Sequence, residues 1–116
     1  MSEKYLQFIN SHLERNLPED SVINYFHRSG SHWLILLFIM KYYYEKKHIN
    51  KTHLTRIVIE KINYQKTQAS ESKYLQEAIL KGYIEEVDHP TDQRQKILTP
   101  SRKTIIDVES WLDKFE

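Results

Sequence analysis

The sequence predicts a mainly α-helical domain carrying one small β-hairpin, and three observations predict it. Apolar residues recur at helical spacing through most of the chain. The helical pattern stops at Lys81-Gly82, and residues 83–98 then read as two short apolar strands around the polar turn Asp88 to Gln93. A length of 116 residues with 40% hydrophobic and 28% charged side chains suits one soluble globular domain.

Each element follows in order. Over residues 3–16, Tyr5, Leu6, Phe8, Ile9, Leu13 and Leu17 mark an amphipathic helix that stops near Asn16-Leu17-Pro18, because a residue before proline avoids helical dihedrals. Pro18-Glu19-Asp20 opens either a short helix through Phe26 or a turn. His27 to Ser31 reads as a loop, and Ser29 or Ser31 can cap a helix running to about Lys47. That helix is apolar nearly all round at its start and is expected to lie at the centre of the core. His48-Ile49-Asn50 can pair as a minor edge strand. Asn50 or Thr52 can cap a helix over 52–62, with Leu54, Ile57, Val58 and Ile62 facing inward. Asn63 to Gln68 is a polar turn. Ser70 is expected to cap the next helix, about 70–81, with Tyr74, Leu75, Ala78 and Ile79 inside and Gly82 stopping it in a left-handed conformation. After the hairpin, Thr99-Pro100-Ser101 ends the strand. A closing helix over 102–115 then offers Ile105, Ile106, Val108, Trp111, Leu112 and Phe115.

Helix, glycine stop and a hairpin with a cation beside its tip is the layout of a winged helix-turn-helix. In that layout the helix enters the DNA major groove while the hairpin reaches a neighbouring groove or phosphates. The formal net charge of +1 neither demands nor excludes such a role. From Lys51 to Lys103, however, ten Lys and Arg (51, 56, 61, 66, 73, 81, 94, 96, 102, 103) outnumber seven acids (60, 71, 77, 85, 86, 88, 92). No apolar run approaches the roughly 20 residues a bilayer requires. The N-terminus shows no signal-peptide pattern, and cysteine is absent, which fits a reducing, cytoplasmic setting.

Residues 31–101 resemble the MarR-type winged helix-turn-helix regulators. Three pieces carry the resemblance: Ser70-Glu71-Ser72-Lys73-Tyr74-Leu75 running into Leu80-Lys81-Gly82-Tyr83-Ile84; the wing string Asp88-His89-Pro90-Thr91-Asp92-Gln93-Arg94-Gln95-Lys96; and the exit Leu98-Thr99. The wing string, with its Asp-x-Arg at Asp92 and Arg94, is the most specific. The resemblance implies a sequence-specific transcription regulator binding a pseudo-palindromic site in double-stranded DNA as a homodimer. Residues 1–28 and 102–116 would be flanking dimerisation helices around a DNA-binding core at 31–101. The chain departs from the family in a shorter final segment and in Pro100-Ser101, which replaces the customary glycine-bearing turn.

The candidate site residues follow from chemistry. On the helix, Gln68, Ser70, Glu71, Ser72, Lys73 and Gln76 are expected on the exposed side. Amides suit adenine, lysine suits guanine or phosphate, and serine suits phosphate oxygens. At the wing, Arg94 suits the narrow, negative minor groove, with Asp92 orienting it or capping the turn. Thr52, Lys66, Thr67 and Lys96, together with Lys51 and Arg56, are phosphate candidates; a solvated polar surface is the competing reading for all of them. The six histidines, 12, 27, 32, 48, 53 and 89, include no i, i+3 or i, i+4 pair. No metal or other cofactor is therefore expected. The aromatics Trp33, Tyr42, Tyr43, Tyr44, Trp111 and Phe115 read as core or interface more readily than as a pocket for a small-molecule effector. No nucleophile elbow, phosphate loop or carboxylate pair supports an enzyme. The competing function is a winged-helix adaptor that docks a protein partner without DNA.

Overall fold

A computed structural model describes residues 2–13, 21–62 and 68–113; the side chains of Phe8, residues 11–13 and residues 68–70 fall outside that description. In chain order come α1 (Ser2–Leu13), α2 (Val22–Phe26), α3 (Gly30–Tyr44), α4 (Lys51–Ile62), α5 (Gln68–Leu80), β1 (Ile84–Asp88), β2 (Lys96–Pro100) and α6 (Arg102–Asp113). The expected helix stop at Asn16-Leu17-Pro18, residues 63–67 of the expected turn at 63–68, and Phe115 lie outside the described residues, while Gln68 belongs to α5 rather than to the turn.

Short polar side chains set the helix starts. Ser21 Oγ accepts from the Ile23 amide at 3.3 Å, Ser29 Oγ from His32 at 3.2 Å, and Asn50 Oδ1 from His53 at 2.8 Å. Ser101 Oγ accepts from the Thr104 amide at 3.3 Å, so α6 begins directly after the strand. The helix ends of α3 and α5 share one solution. At α5, the Gly82 amide donates to Ile79 O and the Tyr83 amide to Ala78 O, both at 3.0 Å, with Gly82 at φ 80°. At α3, Lys46 takes the same place at φ 58°, its amide donating to Tyr43 O while the Lys47 amide donates to Tyr42 O.

The core gathers α2, α3, α4, α5, β1, β2 and α6 around Ile23, Phe26, Ile35, Leu36, Leu54, Leu75 and Ile84, all essentially inaccessible to water. Burying each such side chain contributes roughly 1.5–3 kcal/mol. As its composition predicts, α3 is central. Tyr25 links α2 to α5: its hydroxyl donates to Tyr74 O at 3.4 Å, and burial, the main cause, pushes its pKa up to about 12. No described residue of α1 enters this core, and Tyr5, Leu6 and Ile9 are exposed. Helix α6 turns Val108 and Trp111 inward, with Trp111 edge-on to Trp33 at 5.5 Å, and leaves Ile106 and Leu112 exposed. Asp107 of α6 accepts from the Val22 amide at 3.1 Å, tying the closing helix to the start of α2.

The sheet has two antiparallel strands, with Ile84 opposite Pro100, Glu86 opposite Leu98 and Asp88 opposite Lys96. Pro100 is thus the last paired residue of β2 rather than a residue beyond it, a position where the missing N–H is tolerated. The expected edge strand at residues 48–50 reduces to one bond, the Leu98 amide donating to Ile49 O at 2.8 Å. Among the described residues no helix is long and apolar enough to cross a membrane.

Candidate nucleic-acid interface

Helix α5 is amphipathic in a way that its residue types only partly foretell. Leu75 and Ala78 are buried on one side, while Ser72, Lys73 and Gln76 are exposed on another. Glu71, expected among the exposed residues, is instead 1% accessible, and its Oε1 accepts from Ser31 Oγ of α3 at 2.9 Å. The correction has a geometric cause. Glu71, Leu75 and Ala78 follow i, i+4, i+7 spacing, so the packing that buries the two apolar residues carries the carboxylate inward with them. That spacing was readable in the sequence; the preference of charged residues for the surface hid it. Glu71 Oε2 has no hydrogen-bond partner, a burial that costs at least about 1–3 kcal/mol.

Gln68 and Ser70 lie in the first turn of α5. The helix starts at Gln68, so Ser70 is inside it and is not the cap that the sequence suggested. Helix-compatible Gln68 and Ala69 extend the run upstream of the first serine. Lys66 and Thr67 fall outside the described residues. Thr52 is exposed on the outer face of α4, beside an open hollow lined with Arg56, Ile59 and Glu60.

The wing turn is built around Asp92. Its Oδ1 accepts from the Arg94 amide at 3.1 Å and from Arg94 Nε at 3.3 Å, and its Oδ2 accepts from Gln95 Nε2 at 3.2 Å. The Arg94 backbone bond, then its side-chain bond, holds the Asp92 carboxyl below the usual carboxylate range. The Gln95 amide closes the turn on Asp92 O at 3.0 Å, and the Arg94 side chain is 92% exposed. Both roles proposed for Asp92 from sequence, turn cap and orienting group, are therefore met in one carboxylate. Lys96 pairs across the strands with Asp88, and that bond raises its pKa.

Two arrangements have no local sequence signal. His48, before α4, and His89, in the wing turn, meet with His48 Nδ1 3.2 Å from His89 Nε2. Because His89 Nδ1 already accepts from the Thr91 and Asp92 amides at 3.1 Å each, its proton sits on Nε2 and is donated to His48. The wing tip is thereby fastened to the loop before α4. Nearer the helix, Lys51 Nζ donates to Gln76 Oε1 of α5 at 3.1 Å and lies 3.4 Å from Glu86 Oε2 of β1. The exposed side of α5 at Gln76 and the wing strand at Glu86 therefore adjoin one another, with Lys51 between. No group of three or more metal-ligating side chains forms among the described residues.

No protein-family model and no curated protein matches the sequence. Solved structures do match in shape. S. aureus MepR, solved bound to ethidium bromide, is 14% identical, with 97% of this chain and 67% of that chain covered at a TM-score of 0.61. The adhesin competence repressor AdcR from Streptococcus pyogenes is 13% identical over 97% of this chain and 70% of that chain, with a TM-score of 0.42. On the MepR likeness, together with the helix order and the two-strand hairpin, this chain has the fold of the MarR-type winged helix-turn-helix regulators.

Proposed function

We propose that the chain is a sequence-specific DNA-binding transcription regulator of MarR type, with α5 in the major groove and Arg94 of the wing at the minor groove. The observation that supports the reading is that Lys51 joins exposed Gln76 of α5 to Glu86 of the wing strand, so that helix and hairpin adjoin as in the winged-helix layout. Ser72, Lys73 and Gln76 supply the helix's polar groups, and Arg94 supplies a guanidinium fixed at its root by Asp92. Glu71 drops out of the proposed contact set because it is buried. A homodimer completes the proposal: the exposed apolar residues Tyr5, Leu6 and Ile9 of α1 and Ile106 and Leu112 of α6 supply surface for a second copy. Light scattering is expected to give twice the mass of the chain.

Titration of a fluorescent duplex at two salt concentrations tests the reading. Binding is expected to weaken steeply with salt, and Arg94→Ala or Lys73→Ala is expected to lower affinity and reduce the salt slope by about 1 each. Unchanged binding in both variants removes these residues from the site. The second reading, a protein-docking adaptor, is favoured by exposed Glu85, Glu86 and Asp88 and by the net charge of +1. A partner that stays bound after nuclease treatment, with no duplex affinity at low salt, would decide for it.

A further inference from the structure

Lys51 and Gln76 are both groups that a DNA-binding face would use, yet they are bonded to each other. An ammonium has donors and no acceptor, so the atom of Gln76 that faces it is the carbonyl oxygen. At 3.1 Å the bond fixes which way round the amide lies, with Oε1 toward Lys51 and the NH₂ group directed away from it. Glu86, 3.4 Å from the same ammonium, holds the flexible lysine stem in that place. The three groups come from α4, α5 and β1, so tertiary packing sets their arrangement.

From this arrangement we infer that Lys51 is a positioning residue that makes Gln76 selective for guanine. The inference rests on the DNA-binding reading above. Glutamine recognises adenine bidentately, with its NH₂ donating to N7 and its oxygen accepting from N6. Here a cation sits on the oxygen, adding donors where adenine N6 would have to donate. Together the Gln76 NH₂ and the Lys51 ammonium present donors only. In the major groove guanine offers two adjacent acceptors, N7 and O6, to match two donors; thymine offers one, O4, beside its methyl group, and adenine and cytosine present amino donors. Glu86 matters by keeping the lysine off the neighbouring phosphates, where it would carry no sequence information.

Selection of bound duplexes from a random pool, followed by affinity measurements on single-base variants, tests the inference on the full chain. The wild-type protein is expected to prefer guanine over adenine by about tenfold at one base position. Lys51→Met, which keeps the stem and removes the donors, is expected to abolish that preference and leave the other positions unchanged. Gln76→Ala is expected to affect the same position, and the double variant to lose no more discrimination than the larger single effect. Glu86→Gln is expected to raise affinity for all duplexes while weakening the guanine preference, opposite signs that a merely structural role would not produce. A Lys51→Met protein that binds every sequence equally less well, with a salt slope reduced by about 1, would make Lys51 a phosphate contact and overturn the inference. So would adenine preference in the wild type at the position sensitive to Gln76→Ala. A folded wild-type chain with no duplex affinity at low salt would instead overturn the DNA-binding reading, and this inference with it.

Discussion

Lys46 and Gly82 occupy equivalent places at the ends of α3 and α5, and only one of them suits its backbone. Both have positive φ, 58° and 80°, and both donate the amide that closes a helix terminus. A side chain with a Cβ is strained there by roughly 1–2 kcal/mol, offset in part by the smaller entropy it has to lose on folding. Lys46→Gly is therefore expected to stabilise the protein by about 0.5–1 kcal/mol in urea denaturation. Gly82→Ala is expected to destabilise it by about 1 kcal/mol. Nothing lies within 4 Å of a Cβ placed at Gly82, so that cost is conformational rather than steric. Asp92 yields a pH expectation. Its carboxyl is held below the ordinary value of about 3.9, so its contribution to the wing turn is present above that value and is lost as pH falls through the lower folded one. The Arg94 amide resonance, followed by NMR, is expected to stay constant down to about pH 4.5 and to move only in more acidic solution. Movement centred near pH 6 would assign the titration to another group.

Among the elements, the wing depends most on contacts from outside itself. Its two five-residue strands are too small to be stable alone. Ile84 and Leu98 anchor it in the core, and polar contacts add to this from Leu98 to Ile49, Glu86 to Lys51, and His89 to His48. The histidine contact is the one nearest the tip. His48→Ala is expected to speed hydrogen exchange at the Thr91 and Asp92 amides by several-fold while leaving the amides of α3 unchanged. Equal rates in the variant and wild type would show that the turn's own bonds to Asp92 suffice. Helix α5 was legible as an element: the helical spacing, the Gly82 stop and the strand that follows all sit where the sequence indicates. Its rotation was not fully legible, because Glu71 lies on the stripe of Leu75 and Ala78 while its charge suggests the opposite side. The stripe wins because two apolar side chains and the Ser31 hydrogen bond act together on a rigid helix.

At the scale of the whole molecule, α6 closes the fold. Trp111, 8% accessible, lies 5.5 Å from both Trp33 and His27, and Asp107 reaches the first turn of α2. Trp111→Ala is expected to cost about 3–5 kcal/mol in equilibrium unfolding. A loss below about 1 kcal/mol would place Trp111 outside the cooperative core. By itself the sequence determined the fold class, the order of the helices, the left-handed stop at Gly82, and a polar turn holding Asp92 and Arg94. Each of these is governed by residues a few positions apart, through helical spacing, turn chemistry and side-chain-to-backbone bonds. Only the tertiary structure decided that Glu71 is buried, that His48 meets His89, and that Lys51 joins Gln76 to Glu86. Those partners are separated by tens of residues, and helix docking, which answers to the summed burial of apolar surface, brings them together; the one local trace is the spacing of Glu71 with Leu75 and Ala78, which its charge overrides in the sequence.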